Sequence, residues 1–206
     1  MTRRAQLLAG AALVLLEAPG VAQTAAPRAE VVVYASDLPA RALSEFDVWK
    51  DPASPGGKMV GTANTGDELD PPPENDPHVT FTVPVQSGVP YRCWVHMKVA
   101  PAKGKSQGNV LWVQFSDAVD GASKPVLKPG TGSYLTALGP ARPGWTWVGC
   151  DRARGATASE SFVFFRVSGE TTVRVQAGME GVGFDQFLLS PARFLERPPT
   201  EAIVQK

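Results

Sequence analysis

What most restricts the fold of this chain is a two-residue alternation that recurs from one short segment to the next. In YRCWVHMKV (91–99), Tyr91, Cys93, Val95 and Met97 fall on one face of an extended chain, and Arg92, Trp94, His96 and Lys98 on the other. VLWVQFSD (110–117) repeats the design, with Leu111, Val113 and Phe115 opposite Trp112, Gln114 and Ser116. HVTFTV (78–83) alternates as well. A period of two marks a half-buried strand, and helix-period stretches are scarce. The segments VVVYAS (31–36), FDVWK (46–50), WTWV (145–148), SFVFFRV (161–167), TTVRVQA (171–177) and FDQFLLS (184–190) continue the series, with 20 Gly and 19 Pro to supply turns.

Strands this short are not stable alone; a second layer must cover their apolar face. The expected architecture is therefore all-β, a two-sheet antiparallel β-sandwich of the jelly-roll kind. Residues 161–177 read as a hairpin around Ser168, Gly169 and Glu170, and 174–191 as the closing hairpin. Residues 39–46 suit one helical turn. The segment 52–77, rich in Gly, Pro, Asp and Asn and holding Pro71, Pro72 and Pro73, reads as a long surface excursion.

The first residues carry a different signal. Arg3 and Arg4 precede an apolar run (5–16), and Gly20, Val21 and Ala22 follow at cleavage spacing. This is the pattern of a secretory signal peptide cut after Ala22. The apolar run falls short of the roughly 20 residues that a spanning helix needs. The division expected is a signal peptide at 1–22, a flexible lead at 23–30, a sandwich domain at 31–195 and a tail at 196–206. The mature chain is expected in a secreted or periplasmic location, without a membrane span. Loss of Arg3, Arg4 and Glu17 leaves a net charge of about −1, which speaks against nucleic acid and against electrostatic attachment to a membrane surface. Export makes Cys93 and Cys150 candidates for a disulfide; two separate buried thiols are the alternative.

Catalytic patterns are poorly represented. The chain has two His, His78 and His96, and lacks Cys-x-x-Cys, His-Glu-x-x-His and Gly-x-Ser-x-Gly. Ser116 would need a base in reach. The acids Asp117, Asp120, Asp151 and Glu160 sit beside Gly and Ser, where carboxylates usually form turns. No enzyme activity, cofactor or metal site is expected. Aromatic placement says more. With aliphatic residues filling the inward register, Trp94 and Trp112 fall outward near Arg92, His96 and Gln114, and an antiparallel neighbour pair would bring them together. Trp145 and Trp147 share a second face in GWTWVGCD; Trp49 is most simply core. Indoles stack on the C–H faces of sugars while Gln, Arg or His take the hydroxyls. A loop packed over the same face, the 52–77 excursion first of all, is the competing explanation.

VVVYASDLP, YRCWVHMKVA, VLWVQFSDAVDG, GWTWVG and VRVQAGMEGVGFDQFLLSPARFL stand in an order and spacing that resembles secreted bacterial β-sandwich domains, similar to carbohydrate-binding modules with a galactose-binding-like jelly roll. The resemblance covers nearly all of 31–195. It is most specific at Asp185, Gln186, Phe187, Leu188, Leu189, Ser190 and Pro191. It implies that the last strand returns beside the first, and that Asp185 anchors the preceding turn through backbone N–H groups. It also implies a non-catalytic glycan-binding module, with Trp94, His96, Trp112, Gln114, Trp145 and Trp147 as its candidate ligand surface. The alternative is a structural or adhesion sandwich of the cell envelope. Relatives commonly carry Arg-Glu-Asp-Gly where this chain has Gly178, Met179, Glu180 and Gly181, and an Arg where it has His96. Some hold a calcium ion near the first and last strands. Glu30 and Asp185 stand there, fewer oxygens than the six or more that calcium takes.

Overall fold

A computed structural model describes residues 29–63, 67–99, 109–140 and 144–200. The strands are β1 (Val31–Tyr34), β2 (Leu43–Ser44), β3 (Asp47–Lys50), β4 (Lys58–Gly61), β5 (His78–Val85), β6 (Arg92–Val99), β7 (Val110–Phe115), β8 (Ala118–Val119), β9 (Leu135–Leu138), β10 (Gly144–Asp151), β11 (Phe164–Phe165), β12 (Gly169–Ala177) and β13 (Val182–Ser190). Among the described residues helix is confined to short 3₁₀ turns, one of them at Ala40–Ala42 inside the expected 39–46 turn.

Every pairing is antiparallel. One sheet runs β3–β4–β13–β6–β10, with β1 also on β13. The other runs β2–β5–β12–β7–β9. Strand β10 serves both sheets: Gly144 to Gly149 pair with β6, then Cys150 and Asp151 pair with β9. The two-sheet sandwich expected from the alternation is the fold, and the last strand does return beside the first, Val31 opposite Leu189.

The core sits between the layers. Val95, Met97, Phe184, Phe187 and Leu189 from the first sheet meet Val79, Phe81, Val113, Phe115, Val173 and Val175 from the second. Val95, Met97, Val113 and Phe115 are inward as alternation assigns them, whereas Phe184 and Phe187, three residues apart, both reach the core only because the register slips between them.

Two connections depart from expectation. Residues 161–177 do not form a hairpin, because Phe164 and Phe165 pair with Val119 and Ala118 while β12 lies between β5 and β7. Nor is 174–191 a hairpin within one sheet: β12 belongs to the second sheet and β13 to the first, so Gly178 to Gly181 carry the chain across the end of the sandwich. Alternation identifies a strand but not its partner. The segment expected to be a signal peptide, most of the expected lead and the last six residues of the tail lie outside the described residues. No described helix is long and apolar enough to cross a membrane.

Candidate functional site

Residues of the first sheet that face away from the core stand in cross-strand rows. Trp145 opposes Lys98, Lys98 opposes Gly183, and Gly183 opposes Gly61. In the next row Trp147 opposes His96, while Met59 opposes Trp49 at the sheet edge. The register slips between Phe184 and Gln186, so an extra residue, Asp185, is turned to the outer face, as bulges commonly do near functional sites.

That bulge aims Asp185 at His96. Its Oδ1 lies 2.7 Å from His96 Nδ1, and the residue is fully buried. The imidazole is held between two indoles: Trp145 stacks at 4.9 Å and 16°, and Trp147 lies tilted at 4.9 Å and 34°. Asp185 Oδ2 and Trp147 Nε1 are buried without a hydrogen-bond partner among the described residues. Asp185 thus engages a side chain on the neighbouring strand, where an anchor for the preceding turn was expected. Glu30 Oε1 accepts the Arg193 N–H, and no group of three or more metal-ligating side chains occurs among the described residues.

Toward the sheet edge the row turns polar, then opens. Lys98 Nζ lies 5.5 Å from the Trp145 ring centre and 2.7 Å from Asp51 Oδ2. Burial alone would raise the Asp51 carboxyl. Hydrogen bonds from Lys98 and the Ala53 N–H, with the Lys98 charge, outweigh it and hold the group below the usual carboxylate range. Beside this pair lies a groove of about 180 Å³, bounded by Trp49, Asp51, Met59, Gly61, Lys98 and Gly183. Its floor is Gly61 and Gly183, with the Met59 methyl lying over Gly183. A Cβ on Gly183 would stand 2.6 Å from the Val60 carbonyl oxygen and 3.2 Å from Gly61 Cα, so only glycine allows the strands to meet there. Trp49 is 45% exposed. Both faces of β3 are open to solvent, which is why Trp49 is a wall of the groove and not the core residue that its sequence suggests. The signal was present in the sequence: Asp47 and Lys50 flank it, as charges do on edge strands.

Burial redraws the expected ligand surface. Strands β6 and β7 lie in opposite sheets, so Trp94 and Trp112 never meet. Each points outward as expected but is covered, Trp94 at 6% exposure and Trp112 at 9%. Trp94 packs on Leu188 and Phe194, and its Nε1 donates to the Phe194 carbonyl at 2.7 Å. Trp112 lies against Tyr134, with ring centres 5.6 Å apart. Gln114 is buried, and its Nε2 donates to the carbonyls of Lys128, Thr131 and Ser133; it pins a loop. The excursion contributes to this cover: Gln176, opposite Trp112, donates to the Asp70 carbonyl. Of the six residues, Trp145 and Trp147 keep partial exposure, while His96 is enclosed between them.

The acids nominated for catalysis behave as structural groups. Asp120 accepts the Ala122 and Lys124 amides, Glu160 the Thr157 amide, and Asp151 pairs with Arg92. Cys93 and Cys150 are both buried, with sulfurs 3.1 Å apart and unbonded, so the two candidates for a bridge do meet in space.

The fold is an all-β, two-sheet sandwich. Among solved structures the chain is similar to the GH26-CBM35 β-(1,4)-mannanase of Podospora anserina, with 16% identity over 82% of this chain and a TM-score of 0.50. It spans 29% of that protein. It is also similar to the C-terminal CBM6 of LamC, a marine laminarinase from Zobellia galactanivorans (12% identity, 79% of this chain, 99% of that one, TM-score 0.48). A third is CBM6cm-2 from Cellvibrio mixtus lichenase 5A, solved with cellotriose (15% identity, 79% and 97%, TM-score 0.46). No protein-family model and no curated protein sequence matches the chain.

Proposed function

We propose that this protein is a secreted, non-catalytic glycan-binding module whose ligand lies on the outer face of the first sheet, over the groove between Trp49 and the Lys98–Asp51 pair. One observation carries the reading: a half-exposed indole stands beside a groove lined by Gly61, Gly183 and Met59, whose other wall offers a charged donor and a charged acceptor. A pyranose ring has an apolar C–H face for the indole, and hydroxyls for Lys98 to donate to and for Asp51 to accept from. Trp145 and Trp147 extend the strip along the neighbouring strand.

The His96–Asp185 pair supports binding over chemistry. It is the arrangement here that most resembles a base with its orienting acid, yet the imidazole is closed in by two rings and meets no nucleophile among the described residues. A shallow groove in which the cation and the acid already satisfy each other suits weak affinity. The rival reading, a structural or adhesion sandwich of the envelope, draws support from the burial of Trp94 and Trp112. Retention in affinity gels cast with plant, microbial and host polysaccharides separates the two. The glycan reading expects retardation that Trp49→Ala abolishes while leaving the melting temperature unchanged. Migration unaffected by every polysaccharide would favour the structural role.

A further inference from the structure

A second pocket, of about 210 Å³, lies at the opposite end of the sandwich. The groove adjoins the start of β13, next to the crossover from the end of β12. The pocket adjoins the other end of β12, where the Ser116 amide donates to the Thr172 carbonyl. Ser116, Asp117, Val119, Lys128, Arg166 and Val167 bound it.

The charges in it are unbalanced. Ion pairs among the described residues engage Arg92, His96 and Lys98, and neither Lys128 nor Arg166 has a carboxylate partner. Asp117 offsets only one of the two positive charges, and its Oδ2 already accepts from the hydroxyls of Ser116 and Thr171. Arg166 is steadied by an Nη2 hydrogen bond to the Ser123 carbonyl at 3.4 Å. Beside the cations, Val167 is 59% exposed.

The wall that carries Lys128 is built at a cost. Ser123 and Leu127 hold φ of 62° and 58°, a left-handed conformation that non-glycine residues avoid. Such strain persists only where the surroundings impose it, and it concentrates at binding sites. Here Gln114 takes three carbonyls of the loop, Ser133 Oγ accepts the Leu127 amide, and the Leu127 side chain is buried as a plug. The loop is therefore fixed before any ligand arrives.

We propose that this pocket is a second saccharide site, selective for a sugar unit that carries an oxyanion, either a uronate carboxylate or a sulfate ester. The Arg166 guanidinium and the Lys128 ammonium take the oxyanion, while Val167 and Val119 face the ring carbons. That the ligand is a sugar rests on the glycan-binding reading above; the anion preference rests on the two unpaired cations alone.

The test is a titration of the ¹⁵N-labelled protein with D-glucuronate, D-glucose 6-sulfate, D-glucose and inorganic sulfate, following the amides of Ser116, Arg166 and Val167. Both charged sugars are expected to shift these amides, glucose is not, and inorganic sulfate binds at least tenfold more weakly than glucose 6-sulfate. A Lys128→Gln, Arg166→Gln double variant, altered only at exposed positions, loses tenfold or more in affinity for both charged sugars and keeps its retention in neutral polysaccharide gels. Equal shifts with glucose, or no shift with either charged sugar, overturn the proposal. Sulfate binding as tightly as its sugar ester overturns the saccharide assignment. Trp49→Ala, titrated in parallel, keeps the two sites apart: it removes retention at the groove and leaves the charged-sugar shifts in place.

Discussion

Trp94→Ala separates an indole that binds from an indole that holds the fold. Trp94 is 6% exposed, packs on Leu188, Phe194, Val32 and Trp147, and donates its Nε1 hydrogen to the Phe194 carbonyl. Removing a buried indole costs about 3 to 5 kcal/mol. For a domain of this size each kcal/mol moves the melting temperature by roughly 2 to 4 °C, so the expected drop is about 6 to 20 °C. Trp94→Phe keeps most of the apolar contact but strands the Phe194 carbonyl, at a cost of about 1 to 3 kcal/mol. Differential scanning calorimetry or thermal circular dichroism reads both variants. The proposed site does not include Trp94, so any Trp94→Ala protein that folds keeps its retention on polysaccharide. A melting temperature within about 2 °C of the parent, together with lost retention, would refute the assignment and return Trp94 to the ligand surface.

Two further outcomes follow from buried groups. Cys93 and Cys150 close a loop spanning 57 positions in sequence. Oxidation to a disulfide is expected to leave no thiol titratable in denaturant and to raise stability by about 4 kcal/mol on the chain-entropy estimate; two thiols titrating after oxidative refolding would contradict this. Asp51 has its carboxyl lowered in the folded protein from an ordinary value near 3.8. Its contribution is therefore present in full above that value and fades as the pH falls through the lower folded one. Asp51→Asn should destabilise at neutral pH, with the gap from the parent narrowing as the pH falls below the ordinary carboxylate value. A gap constant across that range, in denaturant titrations, would show that the Lys98 partnership contributes nothing.

The layers were legible because alternation is a local property. Cys93, Val95, Met97, Leu111, Val113 and Phe115 face inward for the same reason that Trp94, His96, Trp112 and Gln114 face outward, and the structure keeps both sets. Partnership is not local. The spacing of β6 and β7 in sequence does not say that they lie in opposite sheets, and nothing in 161–177 says that Phe164 and Phe165 will pair with Ala118 and Val119 ahead of their own successor. Cover was equally hidden. Phe194 follows β13 by only a few residues yet closes over Trp94, and whether an outward indole is covered depends on where such a segment lands. The groove at Trp49 was missed because an apolar residue in a short strand suggests core, whereas β3 stands at the sheet edge with both faces open. The bulge that presents Asp185 to His96 shows in FDQFLLS only as a spacing of three between Phe184 and Phe187, where alternation asks for two.

Where a glycan touches the first sheet decides between the binding and the structural roles. A ¹⁵N titration with soluble oligosaccharides drawn from a polysaccharide that retains the protein reads this directly. The largest shifts are expected at the Trp49 indole N–H and the amides of Gly61, Lys98 and Gly183, all of them lost in Trp49→Ala. Shifts confined to residues outside that groove, with Trp49 silent, would contradict this placement.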